Sequence, residues 1–230
     1  MKIVAPNPGP MTLEGTNTYL IGADPVTVID PGSADPDHLD AIRGAAGERG
    51  GIGLVLLTHS HADHTNGAEE LDAEVVLPAG GERHGGLLAL ATPGHAADHV
   101  AFLSDDGVCF AGDLVLGLGS TIVPPGGGSL AAYMSSLRAL QAETIDLIAP
   151  GHGPWITDPA AKLAEYLEHR EMRERRLLEA LDAGERSRAV LLQTVWDDVP
   201  LELLPMAAMA MEAHLEKLEE EGRLPAGLVE

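Results

Sequence analysis

The sequence predicts an α/β protein: an αββα sandwich over residues 1–157, followed by a small helical domain over residues 158–230. Three observations point there. Short apolar runs alternate with helical stretches through the first two thirds of the chain. Histidines and aspartates gather where those runs end. At Asp158 the pattern changes to one long helix.

Residues 6–15 are rich in proline and glycine and read as a turn-forming connection. Strand-like runs follow at Thr18–Ile21 and Val26–Ile29, then a helix at Pro36–Gly47. Gly53–Thr58 is too short for a helix and reads as a buried strand. A helical stretch at Thr65–Leu71 precedes strands at Glu74–Leu77, Leu87–Ala91, His99–Leu103 and Val108–Ala111. A helix at Leu130–Gln141 and a strand at Thr144–Ala149 complete two packed layers, with a metal site expected at one sheet edge.

The chemistry concentrates in Thr58-His59-Ser60-His61-Ala62-Asp63-His64, three imidazoles and a carboxylate on a tight loop after a strand. There His59 and His61 can face one side and Asp63 and His64 another, which suits two adjacent ions sharing a water. His95, Asp113 and His152 stand at three further strand ends. Zinc accepts imidazole nitrogen and carboxylate oxygen, and a catalytic site keeps one position open for water. Iron and manganese are also compatible with these donors.

With those residues in view, the chain resembles the metallo-β-lactamase superfamily, whose signature T-H-x-H-x-D-H stands here at residues 58–64. The resemblance covers about residues 3–158. It implies His59, His61 and His95 on one metal, Asp63, His64 and His152 on the other, and Asp113 bridging both: two zinc ions per chain. It also implies that Met11 and Leu13 of the early loop wall the active site. Class B β-lactamases generally lack the bridging aspartate, so Asp113 points to the glyoxalase II, thioesterase and ribonuclease Z side. Flavodiiron proteins carry glutamate where His61 stands. Residues 7–19, Gly151-His152-Gly153-Pro154 and the helical tail are similar to the subgroup of the mitochondrial lactamase-like endoribonuclease, some relatives of which cleave thioesters. Two departures are visible. Ala96 follows His95 where the family often has threonine, and the segment between Leu77 and Leu87 is short and glycine-rich, which implies a wider site.

Composition bounds the remaining readings. The 230 residues are 45% hydrophobic, enough for a sizeable core, and carry a net charge of −22. Residues 1–157 hold 5 basic and 19 acidic side chains and residues 158–230 hold 9 and 17, so neither part is basic. Nucleic-acid affinity depends on Lys and Arg neutralising phosphates, and seven aromatic residues make a poor stacking platform. This disfavours a nucleic-acid partner without excluding RNA. No apolar run is long enough to cross a bilayer, and residues 1–6 lack the apolar core of a secretory signal. The single cysteine, Cys109, reads as core packing. Together these features predict a cytoplasmic protein with no membrane partner.

In the tail, Asp158 caps a helix that Pro159 opens and that runs to Asp182. Its charged middle, with the spacing of Glu171 and Arg175, reads as a salt-bridged exposed face. The sharper alternative is that Arg170, Arg173, Arg175 and Arg176 meet a substrate anion. Helices at Ser187–Val195 and Pro205–Glu221 resemble a winged-helix module. Five glutamates on the second of these favour packing or homo-dimerisation over DNA binding. Tyr133 and Trp155 lie near the ligand motifs, and core packing is the simpler reading of both.

The function expected is a dinuclear metallo-hydrolase, with a metal-bridging hydroxide attacking a small ester, thioester or related acyl compound. Asp63 and Asp113 serve as catalytic ligands that also orient the hydroxide. The alternatives are a single-stranded RNA endonuclease and a non-enzymatic, metal-stabilised protein that binds partners through its tail.

Overall fold

The computed structural model describes residues 1–229, which form ten strands and six α-helices. One sheet runs in chain order: β1 (Lys2–Val4), β2 (Asn17–Ile21), β3 (Val26–Ile29), β4 (Ile52–Leu56) and β5 (Glu74–Val76). The other comprises β6 (Arg83–His84), β7 (Leu87–Ala91), β8 (Val100–Leu103), β9 (Val108–Gly112) and β10 (Leu147–Pro150), ordered β10-β9-β8-β7-β6. Pairing is parallel for β3 with β4, β4 with β5 and β9 with β10, and antiparallel elsewhere.

The period of two in each strand sorts side chains into layers. Val28 and Val55 pack outward against Leu39 and Ile42 of α1 (Pro36–Gly47). Their neighbours Ile29 and Leu56 turn inward, against Leu87, Phe102 and Phe110 of the second sheet. On the far side Cys109 and Ile148 meet Tyr133 and Leu137 of α3 (Leu130–Gln141). The result is helix, sheet, sheet and helix, in that order. Side-chain caps fix the helix starts: Asp35 accepts from His38 N at 3.0 Å, and Ser129 accepts from Ala132 N at 3.2 Å.

Several expectations are corrected. The helix expected over residues 65–71 is instead a short α2 (Ala62–Thr65) and a separate 3₁₀ turn at Glu69–Leu71. The chain breaks at Gly67, where a Cβ would stand 2.7 Å from the Ser33 carbonyl oxygen. The last strand begins at Leu147 rather than Thr144, and β1 and β6, of three and two residues, were too short to recognise.

The tail is helical as expected. In α4 (Pro159–Asp182), Leu163, Tyr166 and Leu167 complete the core under α3. Its second half, through Leu177 and Leu181, joins α5 (Arg188–Val195) and α6 (Leu204–Glu220) in a separate core around Trp196, Met211 and Leu215. The charged middle of α4 is a solvated face only in part: Glu168, Glu171 and Arg175 are exposed, as expected, but two of its arginines are not. Arg170 and Arg173 are both 3% exposed, and Glu171 pairs with Arg138 at 2.9 Å instead of with Arg175. On α6 Glu212 pairs with Arg188 at 3.0 Å, and just past its end Glu221 pairs with Lys217 at 2.8 Å, whereas Glu219 and Glu220 are exposed. Among the described residues no helix is long and apolar enough to cross a membrane.

Candidate metal centre

All seven predicted residues converge where strand ends of the two sheets meet. This is the mouth of the sandwich rather than the lateral edge of a sheet, because β4 and β9 are interior strands. The loop after β4 delivers His59 and His61, and α2 delivers Asp63 and His64. His95 follows β7, Asp113 follows β9 and His152 follows β10.

They fall into two groups, His59, His61 and His95 beside Asp63, His64, Asp113 and His152, with the ligand-type atoms of each group within 4.8 Å of one another. Asp113 faces both. Its Oδ2 lies 3.6 Å from His95 Nε2, and its Oδ1 lies 3.4 Å from both His64 Nε2 and His152 Nε2. Asp63 Oδ2 stands 3.4 Å from His152 Nε2.

Hydrogen bonds behind the rings decide which nitrogens face inward. His64 Nδ1 donates to Asp30 Oδ2 at 2.8 Å, His95 Nδ1 to the Ile122 carbonyl at 2.7 Å, and His152 Nδ1 to the Gly15 carbonyl at 3.2 Å. Thr58 Oγ1 gives its own proton to Asp30 Oδ2, so it accepts from His59 Nδ1 at 3.0 Å. Each of these four imidazoles therefore turns its Nε2 to the centre, where a bound metal ion would take the place of a proton. His95 Nε2 meets His61 Nδ1 at 3.0 Å. The Nε2 atoms of His59, His64 and His152 and Oδ1 of Asp113 are buried without a hydrogen-bond partner.

Converging lone pairs of this kind fit cations. Buried polar atoms left unpaired are costly, and imidazole with carboxylate is a divalent-metal donor set. The backbone makes room for them: at Gly151 a Cβ would stand 2.6 Å from Asp113 Oδ1 and 2.8 Å from His64 Cε1.

The electrostatics agree. Burial opposes ionisation of Asp113, yet the His64 and His152 imidazoles hold its carboxyl well below the usual range. His152 is pushed up to about 9, where burial is outweighed by its contacts with Asp113 and Asp63. Burial lowers His59, and its imidazole neighbours His64 and His99 add to the effect. The half that holds Asp63 and Asp113 thus attracts positive charge, while burial keeps the His59 and His95 imidazoles neutral.

Two supporting residues were missed. Asp30 is buried at the end of β3 and accepts from Thr58 N at 2.8 Å as well as from Thr58 Oγ1 and His64. His99 Nε2 accepts from Asp113 N at 3.1 Å, and its Nδ1 donates to Thr92 Oγ1 at 2.8 Å, so both nitrogens are committed and it is not a ligand. The one available signal was a charged or polar residue closing an apolar run.

His61, Asp63, His95 and Asp113 open into a cavity of about 540 Å³. Its walls are largely apolar and draw on the early loop, the loop after β9 and the tail, where Arg170 and Arg173 of α4 and Trp196 join residues of α6. Met11 and Leu13 contribute from the early loop, Leu116 and Ile122 from the loop after β9, and Met206 and Met209 from α6. The short segment between Leu77 and Leu87 contributes nothing, so the tail closes the side that this segment leaves open. Tyr133 is core and donates to the Leu114 carbonyl at 2.7 Å, whereas Trp155 is exposed.

The family model of the metallo-beta-lactamase superfamily matches residues 11–84 and 73–152, the span that holds every site residue. The chain belongs to the metallo-beta-lactamase superfamily. A second model, the beta-lactamase associated winged helix domain, matches residues 189–224. The chain is 32% identical to a beta-lactamase-like protein 2 homolog of Drosophila melanogaster, over 97% of this chain and 89% of that one. It is 35% identical to an atrochrysone carboxyl ACP thioesterase of Aspergillus chevalieri, covering 87% and 74%. Among solved structures, a metallo-beta-lactamase family protein from Thermus thermophilus superposes with a TM-score of 0.78 at 25% identity, covering 96% and 93%. TTHA1623 in a di-iron-bound form superposes with a TM-score of 0.57 at 28% identity, covering 74% and 97%. As a metallo-beta-lactamase superfamily member the protein is a hydrolase, and the non-enzymatic reading is set aside.

Proposed function

We propose that this hydrolase cleaves an ester or thioester of a mostly apolar acyl compound, using two divalent metal ions held by the seven residues of the mouth. The observation that carries the reading is the cavity, which joins a largely apolar chamber of about 540 Å³ to His61, Asp63, His95 and Asp113. A chamber of that size suits a small molecule, and beyond the metal centre its basic lining is limited to Arg170, Arg173 and His169, with Arg173 already paired to Asp198. The Aspergillus chevalieri thioesterase supports the same chemistry by relationship. TTHA1623 in its di-iron-bound form supports a two-metal site.

Two bound ions, zinc by donor type, would supply Lewis-acid polarisation and a water that ionises near neutral pH. The protein's own groups do the remainder. Asp113 spans the two halves through its two oxygens and fixes their spacing. Asp63 is one-third exposed to the cavity, and burial that would favour its acid form is outweighed by His152 and His64. It stays ionised and orients the attacking water. Met11, Leu13 and Ile122 exclude bulk solvent and hold the acyl chain.

The test is a parallel assay of zinc-reconstituted protein on an acyl thioester, an activated ester, a β-lactam and single-stranded RNA. Thioester or ester turnover that is nearly independent of salt is expected. RNA should bind weakly at 0.15 M salt, because a net charge of −22 repels it across a Debye length of about 8 Å. Efficient RNA cleavage with no acyl hydrolysis would overturn the reading.

A further inference from the structure

Arg170 presents a charge that no acidic side chain among the described residues answers. It is 3% exposed, and it lines the same cavity as the metal centre. Its Nη2 donates to Ser120 Oγ at 3.0 Å and to the Thr121 carbonyl, while its Nε is buried with no acceptor. The Tyr133 ring, 5.4 Å from the guanidinium carbon, offers a cation–π contact that only partly compensates. A buried lysine or histidine escapes such a position by losing its proton; arginine cannot, so the site calls for an anion.

The neighbouring arginine differs. One turn along α4, Arg173 pairs with Asp198 at 2.8 Å and donates to the Val195 carbonyl at 2.6 Å. One positive charge is therefore left over, and a single charge with one uncommitted Nε–H matches a carboxylate monoanion better than a phosphate dianion. Placement relates it to the reaction centre. The Thr121 carbonyl holds Arg170 and the next carbonyl, Ile122, holds His95, so one short loop fixes both groups.

We infer that Arg170 is the substrate-recognition residue of this hydrolase, binding a free carboxylate carried on the acyl or thiol part of the substrate away from the scissile bond. This rests on the ester or thioester reading above. Leu116 and Ile122, which line the same cavity, offer an apolar surface for the stretch between the two polar ends. Catalysis stays with the metal centre, and Arg170 selects what is presented to it.

The experiment uses the full-length, zinc-reconstituted protein and two pairs of thioesters. In the first pair the acyl chain ends in a free carboxylate or in its methyl ester; in the second, the thiol part does. The wild type should prefer the free acid in one pair by roughly tenfold or more in kcat/KM, the range of a charge-assisted hydrogen bond. Arg170→Met should collapse that ratio toward one, and Arg170→Lys should restore part of it. A merely structural role would lower both members of each pair together and leave the ratio intact. Equal rates on both pairs by the wild type, or a ratio unchanged in Arg170→Met, would overturn the assignment.

Calorimetric titration with a dicarboxylic acid monoanilide, which cannot turn over as a thioester, gives an independent reading. Binding that is lost in Arg170→Met supports the carboxylate site even if no thioester is hydrolysed, in which case it is the activity reading that fails. Absence of binding, or tighter binding of inorganic phosphate, counts against the site even if thioesters are hydrolysed.

Discussion

At the residue scale, the centre depends on side chains that never face the cavity. Asp30 holds His64 through its Nδ1 and Thr58 through two further bonds, which aims the His64 Nε2 inward. Asp30→Asn should therefore weaken zinc binding by roughly 10- to 100-fold, the usual effect of losing a carboxylate behind a metal-binding histidine. Competition with a chromophoric chelator measures this, and unchanged affinity would contradict it. His214 poses a separate problem, since both its ring nitrogens are buried without a partner. Burial, followed by the Arg170 and Lys217 charges, lowers it to about 3 from an ordinary 6.5. The folded state thus takes up the proton less readily than the unfolded chain. Its stability contribution is complete above about pH 6.5 and is lost as pH falls toward 3. His214→Leu should remove that loss, gaining about 2 kcal/mol relative to wild type between pH 7 and pH 5. The comparison is made on metal-free samples. His169, also lowered by burial to about 4, is present in both proteins and cancels in the difference. A stability difference that does not change with pH would refute the assignment.

At the element scale, the division of labour is sharp. Residues 59–152 supply every member of the metal centre, while α4 and α6 supply cavity wall and no candidate metal ligand. Trp196 belongs to both the tail core and the cavity lining, and it is 3% exposed. Trp196→Ala should cost about 3–5 kcal/mol of stability, as large-to-small core changes do. Under conditions where the fold persists it should raise KM more than it lowers kcat and leave zinc content unchanged. Loss of zinc in that variant would show that the tail supports the centre directly. The strands and capped helices were largely legible because their signals are local: an alternation, a cap, a proline in a first turn. What escaped has tertiary causes. β1 and β6 exist because a neighbour pairs with them, and the helix after His64 ends where Gly67 meets the Ser33 carbonyl.

At the scale of the whole molecule, the centre could be read from the sequence because its donors sit four to a loop and singly at successive strand ends. The cavity could not, because its wall forms only when the early loop, the loop after β9 and the tail helices meet. Arg170 shows the same limit. In sequence it stands in a charged run that suggests a solvated helix face, and only the fold buries it beside His95's supporting loop. The acidic surface acts on the molecule as a whole and repels polyanions, and the proposal of a small acyl substrate rests on the apolar chamber. The central claim is that the bridging Asp113 and its six companions form a two-metal hydrolytic centre. Titrating metal-free protein with zinc while following thioester hydrolysis tests it most directly. Turnover should be absent without metal, should rise to a break at two equivalents per chain, and should be lost in Asp113→Ala. Full activity at one equivalent, or without metal, would contradict it.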